Sequence, residues 1–208
     1  MSLPLLLVLA SLITEPPPPP PPMVSATPET PTSDGPRWQV TALATANVPL
    51  ALTGSDFLLG LRGEVDVWRI SALLTFDRTG TTPLTIAETR HWTGLLGSSL
   101  VLNKYARVRA LGGVSALSTD TTSQFGPSLG TTARIGWSFL AAEAGVVFTP
   151  FGFRQLDARV EAVLKGGVFE LHAGYRARFV DASATGTLAT LLGSAPVAGP
   201  SIALGVSF

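Results

Sequence analysis

The chain has 208 residues, no cysteine, a net charge of zero, and 13 % charged against 46 % hydrophobic residues. The absence of cysteine excludes disulfides, thiolate metal sites, a cysteine nucleophile and a lipoprotein anchor, and balanced charge without basic clusters argues against nucleic acid as a partner. No uncharged apolar run reaches the ~18 residues of a membrane helix, so a hydrophobic, charge-poor chain needs another explanation.

Leu3–Ile13 is an apolar stretch of signal-peptide length, too short to span a bilayer. No Lys or Arg precedes it, and the nearest small-residue cleavage site, Val24-Ser25-Ala26, lies far downstream. Residues 1–14 are therefore expected to be a signal-peptide-like segment, with an atypical export signal or a misassigned start codon. Pro16–Pro22 is an uninterrupted proline run, and Pro, Thr, Ser and acidic residues follow. Residues 15–36 are expected to form a solvated, disordered linker, polyproline II in the run itself.

From Arg37 onward the chain breaks into segments of period two, as strands with one apolar face do. Trp38, Val40, Ala42, Ala44 and Ala46 alternate with Gln39, Thr41 and Thr45. Leu59, Leu61, Val65 and Val67 alternate with Arg62, Glu64 and Asp66; Ile70, Ala72, Leu74 and Phe76 alternate with Arg69, Ser71, Thr75 and Asp77. Trp92–Leu102 alternates poorly, as a bulged strand would. Ala106, Val108 and Ala110 alternate with Arg107 and Arg109; Leu129, Ala133, Ile135 and Trp137 alternate with Gly130, Thr132, Arg134 and Gly136. Ala142, Ala144, Val146 and Phe148 alternate with Glu143 and Gly145; Leu156, Ala158, Val160, Ala162 and Leu164 alternate with Asp157, Arg159 and Glu161. Phe169, Leu171, Ala173, Tyr175, Ala177 and Phe179 alternate with Glu170, His172, Gly174, Arg176 and Arg178. The last segment sets Ile202, Leu204, Val206 and Phe208 against Ser201, Ala203, Gly205 and Ser207.

The connections alternate too. Short ones fall near Val67–Arg69, Asn103-Lys104, Ser138-Phe139 and Lys165–Gly167. Long ones fall near Asn47–Asp56, Arg78–Thr85, Ser118–Phe125, Thr149–Gly152 and Asp181–Gly199. Proline cannot donate to a ladder, and Pro49, Pro83, Pro127, Pro150, Pro196 and Pro200 all fall in or beside the long loops. Trp38, Trp68, Tyr105, Trp137, Phe139, Phe169 and Phe208 lie by the short turns or the chain ends. Phe57, Phe76, Trp92, Phe125, Phe148, Phe151, Phe153 and Phe179 lie by the long loops, and Tyr175 alone sits mid-strand. Two aromatic bands match membrane-interface girdles, for which Trp38, Trp68, Trp92, Tyr105, Trp137, Phe169 and Phe208 are the candidates.

Residues 37–208 are therefore expected to be all-β: a closed, antiparallel, up-and-down transmembrane β-barrel of about ten strands, or eight if two hairpins are loop extensions. Trp38–Ala46 should pair antiparallel with Ser201–Phe208 at the seam. One parity gathers the charges into a lumen ion-pair network: Arg62, Glu64, Asp66, Arg69, Asp77, Arg107, Arg109, Arg134, Glu143, Asp157, Arg159, Glu161, Glu170, His172, Arg176 and Arg178. The signs nearly cancel, whereas a selective pore usually shows an excess of one. A plugged or low-conductance barrel is expected.

The terminal strand, ending on Phe208, resembles the closing strand of small bacterial outer-membrane β-barrel proteins, and the span from Arg37 resembles their architecture. The resemblance implies an integral outer-membrane location, lipid as a partner, and the barrel-insertion machinery as reader of the last strand. A monomer is expected. No metal-ligand spacing, phosphate loop or hydrolase serine motif is present, so no catalytic residue, metal or cofactor is assigned. Two alternatives remain. One is a barrel enzyme acting on lipid or peptide, with Glu170 orienting His172 beside a serine. The other is a soluble, secreted β-sandwich.

Overall fold

A computed structural model of the chain describes residues 38–47, 57–80, 89–102, 105–181, 191–192 and 197–208. The expected signal-like segment and linker lie outside the described residues, as do Pro49, Pro83 and Pro196. The strands are β1 (Trp38–Asn47), β2 (Phe57–Val67), β3 (Ile70–Gly80), β4 (Thr89–Leu102), β5 (Ala106–Thr119), β6 (Ser123–Gly136), β7 (Leu140–Thr149), β8 (Arg154–Gly166), β9 (Phe169–Asp181) and β10 (Val197–Ser207). Leu191 and Leu192, in the last loop, are helical.

Each strand pairs antiparallel with its sequence neighbours, and β1 pairs with β10, so ten strands close into one barrel. The count is ten rather than eight, and a single closed sheet replaces the two layers of a sandwich. At the seam Thr41–Asn47 run against Ser201–Ser207. Val40 and Phe208 then exchange backbone bonds of 3.0 and 2.9 Å. Closure gives every strand a paired neighbour on both sides over its central part.

The strands are strongly inclined. From Phe125 on β6, register partners run through Ala116, Trp92, Phe76, Leu61 and Ala44 to Leu204. They continue through Leu171 and Leu164 to Leu140, whose carbonyl accepts from Trp137 at the other end of β6. One circuit therefore climbs the length of a strand, the stagger that a tilted barrel requires. The irregular strand is β4, where the register shifts between Ser99 and Val101 and Leu100 is the extra, outward residue.

Two prolines expected at loop edges lie within strands. Pro127 pairs with Val114, and Pro200 pairs with Tyr175. Among the described residues the β6–β7 ladder begins at Leu129 and the β10–β1 ladder at Ser201, so each proline has a described ladder partner on one side alone. That is the position sheets tolerate. The third long loop is correspondingly short, because β5 and β6 extend to Thr119 and Ser123 and leave only residues 120–122 between them.

The pleat sends one parity inward and the other outward. Leu61, Leu74, Leu96, Val114, Leu129, Ile135, Val160 and Leu204 are exposed on the outer wall. The inner parity is buried, both charged and apolar.

Candidate functional site

The barrel interior holds every charged residue expected there except Arg69. Val67 pairs with Ile70, so Trp68-Arg69 forms a two-residue turn and both residues leave the alternation. Arg69 is exposed, with its guanidinium carbon 5.5 Å from the Trp68 ring centre.

The middle of the interior is built around Arg62. Its guanidinium bonds Glu161 on β8 at 3.1 Å and lies 3.6 Å from Glu143 on β7. In the strand order four strands separate β2 from β7 on either side, so this contact crosses the full barrel. Arg62 Nε is 3.4 Å from Glu64. Arg159 reaches Glu143 at 3.2 Å and Glu64 at 3.5 Å. Arg109 bridges Glu64 and Asp66, and Arg107 joins Asp66 at 2.7 Å and Gln39 at 3.0 Å. Towards the short turns, Glu170 receives Arg134 and Lys165, each at 3.4 Å.

His172 is 1 % exposed and clamped on both sides. Nδ1 is 3.0 Å from Glu161 and 3.1 Å from Arg62, and Nε2 is 3.1 Å from Glu170. Both ring nitrogens are occupied, so the ring has neither a free lone pair nor access for a substrate. Two carboxylates and a guanidinium thus surround the ring where the enzyme alternative needs a serine.

Nearer the long loops lies a quartet. Arg176 bonds Asp77 at 2.9 Å and Asp157 at 2.6 Å, and Arg178 bonds the same two carboxylates. His91 is the register partner of Asp77 and meets Phe153 edge-on, with ring centroids 5.8 Å apart. Phe153 does not join the outer aromatic band: it is 0 % exposed, because it turns inward from the β7–β8 connection. Between the quartet and the Arg62 cluster is a cavity of about 20 Å³, room for roughly one water. Arg62, Arg159 and Glu161 line one side of it, and Asp77, Arg176, Asn47 and Ser201 also contribute.

Two interior features escape the charge pattern. Leu73, Leu95, Leu111 and Val147 form a buried apolar cluster on the wall between β3 and β7. Thr93, Ser115, Ser128 and Thr149 form a buried hydroxyl chain with links of 2.9, 2.8 and 2.7 Å. Inward parity flags Leu73, which lies between Ser71 and Thr75, but not that four strands bring leucine and valine to one place.

Of the expected interface aromatics, Trp68, Trp92, Tyr105, Trp137, Phe169 and Phe208 are exposed; for Trp38 only the backbone lies among the described residues. Compared with known proteins, the chain matches no protein-family model and no curated protein.

Proposed function

We propose that the chain is an integral bacterial outer-membrane β-barrel protein with a filled lumen. Its role is structural or surface-interacting, with at most low-conductance transport. The outer wall carries this reading. Leu61, Leu74, Leu96, Leu129, Val160 and Leu204 stand exposed around a closed sheet, while the charged residues of the strand centres point inward. In water such a continuous apolar wall would far exceed the few hundred Å² that soluble monomers expose. In lipid it is the favourable face. Exposed aromatics near both strand ends support the same placement.

The lumen supports the low conductance. Arg62, Glu64, Glu143, Glu161, Glu170 and His172 are each at most 4 % exposed, so side chains rather than a wide water column occupy the interior. Strand β10 is the segment we assign to the insertion machinery, lipid is the partner of the wall, and closure favours a monomer.

Fractionation tests the location: the protein should stay with membranes until detergent is added and show a heat-dependent gel shift. Recovery in the soluble fraction without detergent overturns the proposal. In planar bilayers it should give no steady large channels, and their appearance would overturn the filled lumen. The enzyme reading is not favoured, because His172 is closed off by Glu161, Glu170 and Arg62.

A further inference from the structure

The outer wall carries few charges, and two of them face each other. Arg78 on β3 and Arg90 on β4 are register partners, and both are exposed. Arg78 shares its parity with Leu74 and Phe76, and Arg90 shares its parity with Trp92 and Leu96, so both lie on the outer face. Like charges directly opposite each other weaken a ladder. Among the described residues the other charges outside the buried interior at the long-loop end are Arg154 and Asp181, register partners of opposite sign, and Asp120 in the β5–β6 turn, two residues beyond Ser118, the register partner of Arg90. Among the described residues no carboxylate forms an ion pair with Arg78 or Arg90.

Two residues along each strand towards the barrel middle, Phe76 and Trp92 are partners, with ring centroids 4.2 Å apart. Exposed indole rings favour the membrane–water boundary, and this one sets the arginines just outside it, at headgroup level. We propose that Arg78 and Arg90 form a binding site for the phosphate of an anionic membrane lipid, an inference that rests on the membrane reading above. Two guanidinium forks offer donors that match phosphate oxygens, and an anion between them turns their repulsion into attraction. A zwitterionic headgroup brings its own cation, which the arginines repel.

The test uses the full chain folded in detergent, with the heat-dependent gel shift as folding control. Native mass spectrometry then counts bound phosphatidylglycerol, phosphatidylcholine or inorganic phosphate. Phosphatidylglycerol should be retained, phosphatidylcholine should bind roughly tenfold more weakly, and inorganic phosphate should be lost. Arg78→Gln and Arg90→Gln should each weaken retention about tenfold, as loss of a charge-assisted contact does. Arg69→Gln, in an exposed turn at the other end, should change nothing. A folded double variant that holds phosphatidylglycerol as tightly as the wild type overturns the site. Retention of inorganic phosphate as strong as that of lipid overturns the lipid as its source. Folding and solubility without detergent would overturn the membrane reading by a separate readout, and the lipid with it.

Discussion

Removing the Arg62 guanidinium would leave Glu161 and Glu143 buried in the interior with less countercharge between them. A buried pair broken from one side typically costs about 3–5 kcal/mol, because the abandoned charge stays buried. Arg62→Ala should therefore lower the unfolding free energy of the folded, heat-shiftable form, measured across a urea series, by that order. Arg69→Ala, which removes an exposed turn charge, should stay within about 0.5 kcal/mol. The contrast also shows what single residues disclose in sequence. Alternation places Arg62 on the inner face, but its partner Glu161 is 99 residues away, and only the tilt of the closed sheet brings them together. Arg69 continues the same alternation on paper; the two-residue turn takes it out. Phe153 looks like a rim aromatic because nothing in its neighbours says that the connection bends inward.

At the scale of the element, turns and close strand contacts decide what the backbone accepts. Trp68 is the described non-glycine residue with a positive φ, +55°. Left-handed backbone costs a bulky residue about 1 kcal/mol, and asparagine tolerates it. The stacked Arg69 returns roughly 0.5 kcal/mol at an exposed site. Trp68→Asn should therefore be about 0.5–1 kcal/mol more stable in detergent micelles than Trp68→Ala, which loses the same interface ring but keeps the cost of the left-handed backbone, read as the unfolding midpoint. Gly174 faces inward on β9, where a Cβ would lie 2.0 Å from the Val160 carbonyl oxygen on β8. Backbone cannot move aside as a side-chain tip can, so Gly174→Ala should cost about 2–3 kcal/mol in the same measurement. Neither constraint is written in local composition. The strands themselves were legible because lipid or solvent on one face and a filled interior on the other impose period two. Their ends were less so: β5 and β6 run into the expected Ser118–Phe125 loop, and Pro127 is tolerated because one of its flanks has no described ladder partner.

For the whole molecule, closure was legible from an even run of hairpins and two complementary terminal strands. The division of the interior into an apolar wall and an ionic network was not, since it arises from stagger around the barrel. Stagger also fixes depth, and depth yields a test of the outer wall. Leu61 lies mid-strand on β2, whereas Ile70 begins β3 beside a turn; both are exposed on the outer face. An arginine on the lipid face of a barrel costs ~2–4 kcal/mol at the bilayer midplane and only ~0–1 near the interface. Leu61→Arg should therefore destabilise the protein folded into phospholipid vesicles far more than Ile70→Arg, with folding followed by the gel shift across a urea series. A water-facing sheet has no reason for such a gradient, because both positions would hydrate the new charge equally. Equal costs at the two positions would mean that the wall does not sit across a bilayer, even if the barrel itself closes as described.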